Sequence, residues 1–80
     1  MQLKILLFGI AKEIIGSPVL DFEVGKAATV GDLKGDLLEQ YPDFMALSSL
    51  AIAVDGTYAE DELLLKEGQE IALIPPVSGG

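Results

Sequence analysis

The chain closes with Ile-Pro-Pro-Val-Ser-Gly-Gly, residues 74 to 80, which places a carboxylate on a stalk with almost no side chains. Glycine lacks a Cβ, so Gly79 and Gly80 can pass through a slot that any other residue would block. Pro75 and Pro76 hold φ near −65° and give the stalk a preferred direction, which lowers the ordering cost of entering a cleft. From Val77 onward the extended chain reaches about 13–14 Å. The carboxylate is ionised at neutral pH and is a poor electrophile until a partner converts it, for example to an acyl-adenylate. An amine attacking that adenylate would leave the protein attached as a tag, whereas a sulfur donor would leave a thiocarboxylate.

Other reactive groups are scarce. The 80 residues contain no cysteine and no histidine. The commonest general base, the commonest metal ligand and any persulfide are therefore missing, and neither a metal site nor self-sufficient catalysis is expected. Thirteen acidic residues face five lysines, for a net charge of −8. Phosphate neutralisation needs the opposite sign, which argues against nucleic acid as a partner and favours association with basic proteins. Lys4 interrupts the first apolar run and no run approaches the length of a membrane span, so neither a secretion leader nor a membrane role is expected and a cytoplasmic location is.

Eighty residues that are 50% hydrophobic hold one core. Leu3 to Gly9 is a strand-length apolar run that reads as apolar on both faces, as a central strand would be. Ala11 to Ile15 offers one helical turn, stopped by Gly16 and Pro18. Val19 to Val24 alternates, with Leu20, Phe22 and Val24 on the buried side, and predicts an antiparallel partner for the first strand. The one long helix starts at Thr29, with Asp32 completing a capping-box-like pair. It carries Val30, Leu33, Leu37 and Tyr41 as a stripe widened by Leu38, and stops at Pro42. Gly31 and Gly35 weaken it by roughly 1 kcal/mol each relative to alanine.

Leu50 to Gly56 predicts a buried strand ending on an Asp-Gly turn. Residues 57–69 predict a polar crossing loop anchored by Leu63, Leu64 and Leu65, and Glu70 to Pro76 a final strand that the prolines end. The order β-β-α-β-loop-β predicts an α+β domain of β-grasp, or ubiquitin-like, type. Its expected form is a mixed sheet with one main helix on one face, a domain over 1–76 and a flexible Gly-Gly tail over 77–80. A ferredoxin-like fold would need a second comparable helix that residues 57–69 do not supply.

Three segments carry a family resemblance. "ILLFGIAKEIIG" has the strand, small residue, basic residue, Glu and closing Gly, and "TVGDLKGDL" has the Thr-Val-x-x-Leu-x-x-x-Leu spacing. "LLKEGQEIALIPPVSGG" has the Gly turn, strand and Pro-Pro-Val-small-Gly-Gly ending. Over essentially its whole length the chain resembles the small subunits of molybdopterin synthase, the MoaD-type sulfur carriers. The Pro-Pro-Val segment separates it from the related thiamin-pathway carriers. Two positions depart from the pattern: Lys12 stands where the family usually has arginine, and Asp55 where it more often has asparagine.

The resemblance implies a sulfur carrier in molybdenum cofactor biosynthesis whose active group is Gly80. It implies no permanently bound cofactor; ATP is used by a ubiquitin-activating-like adenylyltransferase, and a sulfur donor protein supplies covalent sulfur as a C-terminal thiocarboxylate. It implies docking on the molybdopterin synthase large subunit in a heterotetramer, where sulfur passes to cyclic pyranopterin monophosphate. The enzyme role is that of the sulfur-donating small subunit, a sulfurtransferase with no catalytic side chains of its own. Pro75, Pro76, Val77, Ser78 and Gly79 match the tail that threads into partners. Lys12 and Ile74 match partner-contact positions, although a solvated lysine and a core isoleucine fit these residues as well. Two other functions stay open at this point: a ubiquitin-like modifier conjugated through Gly80, and a β-grasp interaction adaptor with an idle tail.

Overall fold

A computed structural model of the protein describes residues 1–46 and 50–74. The tail residues Pro75, Pro76, Val77, Ser78, Gly79 and Gly80, and with them the 76/77 domain boundary, lie outside the described residues. The elements run β1 (Gln2–Leu7), α1 (Gly9–Ile15), β2 (Val19–Glu23), α2 (Val30–Gln40), a 3-10 turn (Pro42–Ala46), β3 (Ala51–Val54), β4 (Thr57–Tyr58) and β5 (Ile71–Ile74). The strands form one sheet in the order β2-β1-β5-β3-β4. β1 pairs antiparallel with β2 and parallel with β5, and β5 pairs antiparallel with β3. This is the mixed-sheet β-grasp arrangement, with α2 on one face.

α2 forms where the sequence places it because its first turn has every amide satisfied. Thr29 Oγ1 accepts from Asp32 N at 3.2 Å and Asp32 Oδ2 accepts from Thr29 N at 3.0 Å, closing the capping box. The first two helical amides are capped from outside the helix: Val30 N donates to Leu63 O at 2.9 Å and Gly31 N to Asp61 O at 3.0 Å. The crossing segment after β4 is thus held to the start of α2 by backbone bonds, and the Lys34–Asp61 ion pair at 2.8 Å lies over the same junction.

The two helix glycines have different roles. A Cβ at Gly31 would sit 3.2 Å from Asp61 Cβ, so glycine there lets the crossing segment approach. A Cβ at Gly35 meets nothing within 4 Å. Gly35→Ala is therefore expected to stabilise the domain by about 0.5–1 kcal/mol, read as a shift of the urea midpoint at constant m. Gly31→Ala should gain less, because Asp61 must move.

Val30, Leu33 and Leu37 of α2 are fully buried against Leu3, Ile5 and Leu7 of β1, Phe22 of β2, Ile52 of β3, and Ile71 and Leu73 of β5. Phe44, on the 3-10 turn, is the largest fully buried side chain and meets Tyr41 edge-on, ring centres 6.0 Å apart.

Four sequence expectations need correction. β1 is central but alternates: Leu3, Ile5 and Leu7 are buried while Gln2 and Lys4 are exposed and Leu6 is half-buried. A helix covers only one face of the sheet, so a central strand here has no second apolar environment. The turn at Ala11–Ile15 is a longer helix, beginning at Gly9 and burying Ala11; Gly16 closes it at φ 83°, its N–H donating to Lys12 O at 2.8 Å. The 57–69 segment opens with a strand, β4, because Asp55 and Gly56 both take positive φ (52° and 83°) and form the tight hairpin turn that returns the chain onto β3. Of the three expected anchors only Leu65 is buried, its N–H donating to Ala28 O at 2.9 Å, while Leu63 and Leu64 are exposed.

Candidate functional site

Strand side chains alternate between faces, and the pairing registers decide which residues share the face that α2 does not cover. Val19 lies opposite Leu6, Leu6 opposite Ala72, Ala72 opposite Ala53, and Ala53 opposite Tyr58. These five residues form one cross-strand row spanning the whole sheet. Ile74 opposite Ala51 begins a second row, and Lys4 opposite Asp21 marks the polar flank. The three alanines make the centre of the face shallow and apolar, while Tyr58, 70% exposed, stands up at its β4 margin. A contiguous apolar surface of this kind on a small acidic domain is the candidate docking surface for another protein.

The end of β5 belongs to the same surface. Because β1 and β5 are parallel and Leu7 lies opposite Leu73, the two strands leave the sheet side by side. Phe8, exposed, follows Leu7, and Ile74 follows Leu73. Ile74 is half-buried on the open face and is not among the core residues. Lys12 is exposed on α1, which lies beside β5. The fold thus brings the Lys12 helix and the Ile74 strand end to the edge from which the chain continues to Gly80; the tail residues themselves lie outside the described region.

Asp55 ties the β3–β4 turn to the start of β5. Its N–H donates to Glu70 O at 2.8 Å, and its Oδ1 accepts from Glu70 N at 2.9 Å. Replacing the family's asparagine with aspartate keeps the acceptor oxygen and a residue type that tolerates the left-handed conformation.

Leu6, Val19, Ala53, Tyr58 and Ala72 were not singled out from the sequence. The available signals were two alternations: Val19 to Val24, which sets Val19 on the side away from Leu20 and Phe22, and Gln2, Lys4 and Leu6 with the leucine and isoleucine between them. Which residues stand opposite is fixed by pairing, and that cannot be read along the chain. Among the described residues no polar or charged side chain is buried, and no group of histidines, cysteines or acids is placed to hold a metal ion. Among the described residues no helix is long and apolar enough to cross a membrane.

Comparison with known proteins places this geometry. The model of the ThiS family matches residues 5–80. The molybdopterin synthase sulfur carrier subunit of Chlamydomonas reinhardtii is 34% identical, the alignment covering all of both chains. Among solved structures, small archaeal modifier protein 1 of Haloferax volcanii superposes with a TM-score of 0.80 at 26% identity, over 95% of this chain and 98% of that one. The complex of subunits 1 and 2 of the molybdopterin-converting factor from Helicobacter pylori matches with a TM-score of 0.67 at 26% identity over the full length of both chains. The chain belongs to the ThiS family and, within it, to the molybdopterin synthase sulfur carrier subunits.

Proposed function

We propose that the protein is the sulfur carrier of molybdopterin synthase and acts in molybdenum cofactor biosynthesis. The end-to-end relationship to sulfur carrier subunits carries this reading. A ubiquitin-activating-like adenylyltransferase joins the Gly80 carboxylate to AMP, consuming ATP and releasing pyrophosphate. A sulfur donor protein then attacks the acyl carbon with the outer sulfur of a persulfide, AMP leaves, and a thiol cleaves the acyl disulfide, releasing the thiocarboxylate and leaving the donor sulfur in a disulfide. The charged carrier docks on the large subunit through the open sheet face, and Pro75 to Gly79 run into that subunit's pocket. There the thiocarboxylate sulfur bonds to cyclic pyranopterin monophosphate, and water cleaves the acyl–sulfur bond, leaving sulfur on the pterin precursor and regenerating the carboxylate. In this reading the small subunit is a sulfurtransferase through its terminus alone, the complex is a heterotetramer, and the reaction is cytoplasmic.

A second reading is favoured by the likeness to the Haloferax modifier protein. The same adenylate, attacked by a lysine amine, would join Gly80 to a target through an isopeptide bond. Intact-mass analysis after incubation with the cognate activating enzyme, ATP and a sulfur donor separates the two. Exchange of one oxygen for sulfur at the terminus is the expected result; a ladder of conjugated targets in place of that exchange supports the modifier. An unchanged mass leaves a β-grasp adaptor with an idle tail and sinks both.

A further inference from the structure

Beyond the β4 margin of the open face, the chain forms a shallow groove lined by Tyr58, Ala59, Glu60, Glu62 and Leu63. We infer that this groove receives an arginine side chain of the protein that covers the open sheet face. Its apolar lining is made by Ala59 and two exposed large side chains, Tyr58 at 70% and Leu63 at 42%. The turn closed by Leu63 N donating to Glu60 O at 3.1 Å brings Leu63 back beside Tyr58.

The rim is anionic. Asp61, between the two glutamates, is already engaged: its Oδ1 accepts from Lys34 Nζ at 2.8 Å and its backbone oxygen accepts from Gly31 N. Glu60 and Glu62 instead line the groove, and among the described residues neither carboxylate is paired with a lysine.

These features select one chemistry. An aliphatic side chain would cover the tyrosine and leucine but strip water from two unpaired carboxylates. A lysine would neutralise one of them. A guanidinium can lie flat on the tyrosine ring while its fork of donors reaches a carboxylate on either side, and the arginine stem fills the space over Leu63. The groove adjoins the cross-strand row at Tyr58, so a partner seated on that row has a side chain within reach of it. The choice of partner rests on the carrier reading; the preference of the groove for a guanidinium does not.

Two measurements test the inference. In the first, backbone amide shifts are followed while acetyl-Ala-Arg-Ala-amide, or its citrulline counterpart, is added to the whole protein. Saturating shifts confined to residues 58–63 are expected with arginine and absent with citrulline, weakened by Tyr58→Leu and lost in Glu60→Gln/Glu62→Gln. Shifts spread evenly over the acidic surface, or unchanged in the double variant, overturn it.

In the second, the cognate large subunit is titrated with wild type and the double variant. At low salt the variant should bind roughly 2- to 30-fold more weakly, and the gap should close as salt rises. Equal binding of both proteins overturns the role of the groove while leaving the carrier reading intact. A large subunit that ignores the wild type, alongside a positive peptide titration, overturns the carrier reading and leaves the guanidinium site standing.

Discussion

Removing Gly80 is expected to lower dithiolene formation at least about 100-fold while leaving unfolding within about 0.5 kcal/mol of wild type. The chemistry needs the acyl carbon at one place in each partner's pocket. The truncated chain carries a carboxylate at Gly79, but it stands about 3.3–3.6 Å short of that place. Misplacement of a reacting atom by even about 1 Å can cost 100-fold in rate. Stability is spared because every buried core residue described lies between Leu3 and Leu73. Product formation with the large subunit and the pyranopterin precursor, alongside urea unfolding, reads both halves. A shortened chain that turns over at the wild-type rate would sink the assignment of Gly80. Adding one alanine after Gly80 should be as damaging, since it moves the carboxylate too far by the same length.

Phe44→Ala is expected to cost about 3–5 kcal/mol, the range for deleting a fully buried aromatic ring. A domain of 80 residues has roughly 4–12 kcal/mol of stability in all, so the variant should lose about a quarter of it or more. Phe44 is 1% exposed, and Tyr41 lies between it and Phe22, edge-on to Phe44 and tilted against Phe22, its ring centre 6.5 Å from that of Phe22. Its loss leaves a cavity at the end of α2 and removes support from Tyr41. Urea titration followed by circular dichroism measures the change; a loss under about 1 kcal/mol would mean that the 3-10 turn collapses freely into the gap.

The contrast between Phe44 and α2 shows what the sequence makes legible. α2 is long, with a stripe at Val30, Leu33 and Leu37 and a cap at Thr29, so local chemistry and burial point the same way. Phe44 follows Pro42 in a segment too short to show a period, and only the tertiary structure reveals its burial. β4 escaped for a similar reason. The Asp55-Gly56 turn announces a returning strand, but Thr57–Tyr58 is too short to show alternation. Leu63, Leu64 and Leu65 form a uniform run, and which leucine turns inward depends on the backbone bonds to Ala28 and Val30. The terminal stalk could be recognised because its residue types are unusual in themselves. The open face could not, because its row of five comes from five separate strands and exists only in register.

The central place of β5 also bears on how the protein is made. Ile71 pairs with Ile5 at the other end of the chain, and β5 is the one strand that joins the β2–β1 pair to the β3–β4 pair. Until translation reaches Ile74, the two halves of the sheet share no ladder and the core lacks Ile71 and Leu73. Contacts of such long sequence separation form late in folding. Under the proposed function, a ribosome that stops before β5 therefore releases a chain that lacks both Gly80 and the complete open sheet face. Such a fragment has no β5 to join the two halves of the sheet, so the row proposed to seat on the large subunit never assembles and incomplete copies make poor competitors for it.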